Sequence, residues 1–373
     1  MPAPDATAPA DLDAHVCLGD FERTARERLT PQAYDYYVGG AGDEVTVREN
    51  RDAWARVALL PRVLVDVSAR DLATTVLGRR VAFPVLLAPA AYQQLAHPDG
   101  ECATARAAHA LGTVMTLSTL SNASLEEVRA ASAGPLWFQL YCYKDRGHTR
   151  DLVQRAEAAG YEAIVLTVDT PLLGRRERDV RNRFRLPNGM RIGNVRPGGV
   201  DTLPDVPDSG LAHYFAELLS PAITWDDVRW LRATTRLPVV LKGVVRADDA
   251  RRAADAGAAA VVVSNHGGRQ LDGAVATARA LPAVAEAAAA SATPLEVLVD
   301  GGVRRGADVV RALALGARAV MIGRPLLWGL AAAGEAGVRR VLELLRDETD
   351  LAMALCGCRN TAEVTPDLLA PDE

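Results

Sequence analysis

Short apolar runs recur along this chain, spaced so that one helix fits between each pair. They cover residues 83–88, 113–117, 136–141, 163–168, 238–241, 259–264, 296–299 and 319–322. Their apolar character is continuous rather than alternating, as a strand covered on both faces requires, and strands of a parallel sheet are covered in that way. After them come segments with helical spacing of apolar residues, at 101–110, 125–131, 149–159, 226–234, 247–256, 274–289, 307–315 and 331–345. Gly160, Gly257 and Gly316 stand where a left-handed cap would end three of these helices. Eight strand–helix units predict an α/β fold, a (β/α)8 TIM barrel. A doubly wound open sheet is the competing architecture, but the first strand lacks the glycine-rich turn that fold expects.

Two additions interrupt the alternation. Residues 11–80 predict an N-terminal helical addition, with a helix over 12–29, a tyrosine-rich helical turn over 31–38 and a connecting segment. It is expected to close the N-terminal end of the barrel. Residues 170–224 form an insertion after the fourth strand, rich in Gly, Pro and Asp over 193–210, which predicts a mobile flap at about 188–222 across the barrel mouth. The Pro/Ala-rich stretch 1–10 is expected to be a disordered arm, leaving 11–373 as one barrel domain.

Composition narrows the classes. A length of 373 residues suits one large barrel with additions. A formal net charge of −5 offers no basic face for nucleic acid or an anionic membrane. No uninterrupted apolar run reaches the ~18 residues of a membrane span. The five cysteines are scattered, and Cys356 and Cys358 are too close in sequence for ordinary disulfide geometry. No Cys/His set has zinc spacing, so no metal site is expected. A reduced cytoplasm is the expected compartment.

Barrels of this kind keep their chemistry at the C-terminal ends of the strands. There the sixth strand runs into Ser264-Asn265-His266-Gly267-Gly268-Arg269-Gln270-Leu271-Asp272-Gly273. His266 can take a proton, and Arg269 can hold a carboxylate through two parallel hydrogen bonds. The first strand ends in Ala88-Pro89-Ala90-Ala91, small residues that leave room beside a ring system, and the second ends at Ser118. A period of two puts Gln139 and Tyr141 on one face of the third strand, and Thr167 and Asp169 on one face of the fourth. The fifth ends in Lys242-Gly243, the seventh in Asp300-Gly301-Gly302-Val303-Arg304 and the eighth in Gly323-Arg324. Glycine plus arginine after the last two strands suits a phosphate. A lysine, a carboxylate and an imidazole around a phosphate-bearing ligand point to redox or proton-transfer chemistry. No nucleophile-elbow serine suggests hydrolysis.

The stretch 264–273, together with Asp300-Gly301-Gly302-Val303-Arg304-Arg305-Gly306, Thr167-Val168-Asp169-Thr170-Pro171, Gly174-Arg175-Arg176 and Tyr34-Asp35-Tyr36-Tyr37, resembles the FMN-dependent 2-hydroxy-acid oxidases and dehydrogenases. That is the group of glycolate-, lactate- and mandelate-oxidising enzymes, and the resemblance runs from about Asp20 to about Thr365. It implies FMN as cofactor, His266 as the base, and Asp169 as the group that orients the base and stabilises the imidazolium. It implies that Arg269 and Arg176 grip the substrate carboxylate with help from Tyr36, and that Tyr141 sits near the substrate hydroxyl. Lys242 would balance charge on the reduced flavin. Pro89, Ala90, Ala91, Ser118, Gln139, Thr167 and Ser264 would line the ring and ribityl chain, and Asp300, Gly302, Arg304, Gly323 and Arg324 the phosphate end. Leu120 stands where glycolate-type members carry an aromatic residue. Leu120 and Tyr92, with Gly268-Arg269, look like the mandelate-oxidising branch, whereas Tyr36-Tyr37 look like the glycolate branch and Leu173 matches a common pocket-wall position; a medium or bulky 2-hydroxy acid is the expected substrate. Ala91 suits the oxidase branch, and no haem-binding or membrane-anchoring segment is evident, so dioxygen is the expected acceptor and hydrogen peroxide the product. A dehydrogenase with another acceptor, or a non-catalytic flavin-binding barrel, is the alternative. By the same resemblance the protein is expected to be a homo-oligomer, a tetramer or an octamer.

Overall fold

The computed structural model describes residues 11–195 and 199–371. The expected arm at 1–10 and the flap residues 196–198 lie outside the described residues. An antiparallel hairpin, β1 (Thr74–Val76) and β2 (Arg79–Val81), precedes a closed barrel of eight parallel strands. These are β3 (Val85–Leu87), β4 (Met115–Leu117), β5 (Leu136–Leu140), β6 (Ala163–Thr167), β7 (Val239–Val244), β8 (Ala260–Val263), β9 (Glu296–Asp300) and β10 (Ala319–Ile322), with β10 pairing back onto β3. Apart from Gly243 and Glu296 every residue of the barrel strands is buried, which accounts for their continuous apolar character. Each such Val, Leu or Ile side chain contributes roughly 1.5–3 kcal/mol over its exposed state.

The outer ring comprises α4 (Gly100–Ala110), α5 (Leu125–Ala131), α6 (Arg146–Ala158), α9 (Trp225–Thr234), α10 (Ala247–Asp255), α11 (Thr277–Ala289), α12 (Gly306–Ala314) and α13 (Arg324–Leu355). The last is longer than the expected 331–345. It starts directly after β10, with Pro325 in its first turn, and breaks at Ala333–Gly334 before continuing. No helix among the described residues is long and apolar enough to cross a membrane.

The N-terminal addition departs from expectation in three ways. The helix expected over 12–29 is a 3-10 turn, Leu12–Ala14, followed by a separate helix, α1 (Leu18–Arg28). The Asp20 carboxylate accepts from Val16 N and Cys17 N, both at 2.9 Å, and so sets a fresh helix start. Beyond α2 (Pro31–Val38), the segment read as a connection contains another helix, α3 (Val45–Arg56). Among the described residues, it is the hairpin that closes the barrel's N-terminal end. Val76 and Val81 pack into the barrel interior against Leu86, Trp137, Val240, Leu298 and Met321. Leu77 N binds the Glu296 carboxylate at 3.0 and 3.1 Å, and Arg79 Nε binds Glu162 at 3.0 Å. Both carboxylates stand at the N-terminal ends of their strands. The helices α2 and α3 instead reach the opposite end, where the site lies.

The insertion after β6 has structure of its own. Ahead of α9 lie α7 (Glu177–Arg181) and α8 (Gly210–Leu218), and the described part of the segment carries buried anchors. Asn194 is fully buried; its amide nitrogen binds Ser121 Oγ at 2.8 Å and its oxygen accepts from Leu125 N at 2.9 Å. A Cβ on Gly193 would stand 2.5 Å from the Ala123 carbonyl carbon, so only glycine permits this approach.

Candidate active site

The turn after β8 carries the centre of the site. His266, Gly267 and Gly268 have φ of 59°, 64° and 79°. A left-handed histidine costs on the order of 1–3 kcal/mol, so its surroundings must hold it there. Ser264 Oγ accepts from His266 N at 3.1 Å, and Asn265 Oδ1 accepts from Gly268 N at 3.1 Å. Asn265 also exchanges amide hydrogen bonds with Asn50 of α3, each 2.8 Å, so α3 clamps the turn from outside.

His266 Nδ1 lies 2.9 Å from Asp169 Oδ1, which also accepts from Thr170 Oγ1 at 2.9 Å. The tautomer favoured by this pairing carries its proton on Nδ1 and leaves Nε2 basic. Gly243 makes the arrangement possible. It forms a bulge in β7 with φ of 119°, and a Cβ there would stand 2.6 Å from the Asp169 Cβ. Burial pushes the His266 imidazole below its ordinary pKa, although Asp169 pulls the other way. Burial opposes the Asp169 charge, but His266, Lys242 and Thr170 outweigh it, and the carboxyl sits below its usual range. Lys242, itself buried, is kept charged by Asp300 and Asp169. Its Nζ stands 2.9 Å from Asp300 Oδ2 and 3.0 Å from Ser264 Oγ.

These groups open onto a cleft of about 1040 Å³ counted with the open space at its mouth. Of the residues expected there, Tyr36, Pro89, Ala90, Ala91, Ser118, Leu120, Gln139, Tyr141, Thr167, Leu173, Arg176, Lys242, His266, Arg269, Asp300, Gly302, Arg304, Gly323 and Arg324 line it. Ser264, expected along the ring, does not, and neither does Asp169, whose expected task was to orient His266. They stand behind the lining, holding His266 and Lys242. The sequence reading missed Leu211 and Phe215 of α8, which form one wall, with Phe215 edge-on to Tyr141 at 5.2 Å. Their signal was an amphipathic pattern inside a segment read as flap. It also missed Glu101, whose buried carboxylate accepts from Gln93 N at 3.1 Å and Asn122 N at 3.0 Å, tying together the loops after β3 and β4.

Three expected anion-binding residues have further tasks. Arg269 Nη1 donates to Tyr36 O at 2.7 Å and Gly39 O at 2.8 Å. Arg324 spends all its nitrogens on the carbonyls of Tyr37, Gly267 and Gly39, at 3.0–3.1 Å. The two thus cap the carbonyl end of α2. Gly302 is glycine because of α3: a Cβ there would lie 1.9 Å from Asn50 O. Arg304, stacked on Trp328 at 4.8 Å, keeps a buried Nε without a protein partner. Burial lowers Arg269 to about 9, helped by the Arg176 guanidinium, and lowers Arg304 and Arg324 to about 10. An anion in the cleft would relieve that cost.

The unpaired polar atoms suit FMN. Gln139 Oε1 is occupied by Ser118 and Thr119, which leaves its buried Nε2 as a donor at the cleft for a ring carbonyl. Asp300 Oδ1, also unpaired, is an acceptor for ribityl hydroxyls, and Arg304 Nε is a donor for the phosphate. A Cβ on Gly323 would meet nothing within 4 Å, so the backbone there is open to a ligand. Ala88, Ala90 and Ala91 leave a shallow wall for a flat ring.

Known proteins are similar to this chain. An L-lactate oxidase of Nostoc sp. is 53% identical over 96% of this chain and 99% of its own. Glycolate oxidase 5 of Oryza sativa subsp. japonica is 52% identical over 93% of each. A crystal structure of mandelate oxidase with (S)-4-hydroxymandelic acid superposes with a TM-score of 0.90 at 48% identity, over 94% of this chain and 97% of that one. The model of the FMN-dependent dehydrogenase family matches residues 25–371, and the chain belongs to that family.

Proposed function

We propose that this protein oxidises an L-2-hydroxy acid to the 2-oxo acid and passes the electrons to dioxygen, releasing hydrogen peroxide. The observation that carries the reading is the His266–Asp169 pair at 2.9 Å, sharing one cleft with the Arg269 and Arg176 guanidiniums. A proton acceptor beside a double cation is what an α-hydroxy carboxylate needs. Bound FMN supplies the two-electron acceptor and, when dioxygen reoxidises it, the route to peroxide. Arg269 and Arg176 hold the substrate carboxylate, which presents the hydroxyl-bearing carbon to His266. His266 Nε2 takes the proton, and Asp169 stabilises the imidazolium that forms. Burial raises the pKa of Tyr36 and Tyr141, so both keep their protons and serve as donors. Lys242 holds positive charge where negative charge builds up.

The side-chain end of the cleft is apolar, walled by Leu120, Leu173, Leu211 and Phe215, which supports a medium or bulky acid. Anaerobic mixing of the FMN-loaded protein with mandelate, lactate and glycolate tests both parts of the proposal. The flavin absorbance is expected to bleach at least tenfold faster with mandelate than with glycolate, and air should then yield peroxide. If none of the acids bleaches the colour, the hydroxy-acid reading is wrong. Bleaching without peroxide would mean another acceptor.

The base works only when neutral, so activity rises with pH through the His266 pKa and then levels off. Because that pKa is lowered, the acid limb of kcat/KM is expected below pH 6.5, the ordinary histidine value. A steady-state pH profile checks this, and a limb above that value would remove His266 as the titrating group. A cytoplasmic compartment is supported by five free cysteines. A homo-oligomer is supported by the exposed apolar strip Leu60, Val63 and Leu64, which lies near Leu355.

A further inference from the structure

Asp179 is a buried carboxylate that the chemistry above leaves without a task. It lies in α7, 3% exposed, three residues beyond Arg176. Its Oδ2 makes no hydrogen bond, and the nearest cation is Arg176 Nη1 at 3.9 Å. Burial pushes the Asp179 carboxyl above its ordinary pKa while the Arg176 and Arg269 guanidiniums pull it back, so it stands within electrostatic range of both carboxylate-binding arginines. A buried anion short of donors is costly and persists only beside cations. Two guanidiniums and one carboxylate leave this wall a net charge of +1, which a monocarboxylate cancels. Without Asp179 the wall would carry +2. Substrate and product would then be bound more tightly alike, and such uniform binding lowers KM without speeding the chemical step.

We propose that Asp179 is a positioning residue that counterbalances Arg176, so that the site orients a monocarboxylate yet releases the 2-oxo acid. At 3.9 Å the pair is within Coulomb reach but beyond a directed hydrogen bond, so a substrate carboxylate need not break a bond to Asp179, while Arg176 Nε stays anchored on Arg269 O at 3.3 Å. The inference rests on the proposed reading that Arg176 and Arg269 hold the substrate carboxylate.

The test is Asp179→Asn in the FMN-loaded protein, with mandelate as substrate and benzoylformate, its 2-oxo acid, as inhibitor. KM and the benzoylformate Ki are expected to fall at least threefold, while kcat stays the same or drops. Asp179→Glu, which keeps the charge, should remain within about twofold of wild type. A residue serving only as scaffold gives the opposite sign, because a loosened Arg176 weakens carboxylate binding. Should the asparagine variant not fold, Asp179→Ser is measured in its place. A raised or unchanged KM in the folded variant overturns the proposal, and so does failure of both variants to fold with FMN. A wild-type protein that mandelate does not bleach is a different failure, that of the reaction itself.

Discussion

His266→Ala is expected to fold, stay yellow and turn over about 10²–10⁴-fold more slowly, the usual contribution of a positioned general base. The histidine ring's protein partners are Asp169 and Thr170, and the proposed flavin contacts lie elsewhere, on Gln139, Lys242, Asp300 and Arg304. Loss of the imidazole should therefore spare cofactor binding. The backbone at 266 is left-handed, which alanine tolerates poorly, so His266→Asn is the better control because asparagine adopts that conformation more readily. Anaerobic single-turnover reduction followed by flavin absorbance separates the chemical step from binding. If colour and activity disappear together in both variants, the histidine is a structural residue.

Lys242→Met should have the largest effect on stability. The lysine and Asp300 are 4% and 7% exposed and form an ion pair at 2.9 Å. Removing one partner of a buried pair strands the other's charge, at a cost of roughly 3–5 kcal/mol. The variant is expected to melt well below wild type and to lose FMN. Lys242→Met combined with Asp300→Leu removes both charges and should recover most of the melting temperature, but not the turnover. Thermal unfolding with and without added FMN measures the first effect and mandelate oxidation the second. A double variant that regained full activity would take Lys242 out of the chemistry.

The barrel was legible because its strands are covered on both faces, and continuous apolar runs such as Val261-Val262-Val263 have few other uses. What escaped notice has equally physical causes. The helix α3 buries Thr46 and Asn50 alongside Ala53 and Trp54, so its inward face reads as polar. Asn50 is nonetheless what locks the His266 turn and demands glycine at 302. The hairpin strands have three residues each, too few for any periodicity to show. Asp179 and Glu101 were invisible for a related reason: a buried carboxylate looks like surface until its neighbours are known. Strand-end residues fared better, because a strand period of two and the polarity of the barrel together assign their direction. Ser264 was grouped with the lining, although it stands one layer behind it and acts on His266 and Lys242, which line it; Asp169 was read as orienting His266 and stands behind it in that position.

The hairpin stopper has a consequence for traffic. Among the described residues, Val76 and Val81 plug the base of the barrel against Trp137, so the cleft opens at the mouth. Acid and keto acid share that mouth with oxygen and peroxide. A slow-leaving keto acid then obstructs the oxidant, and the pace of the whole cycle depends on how readily the site lets go.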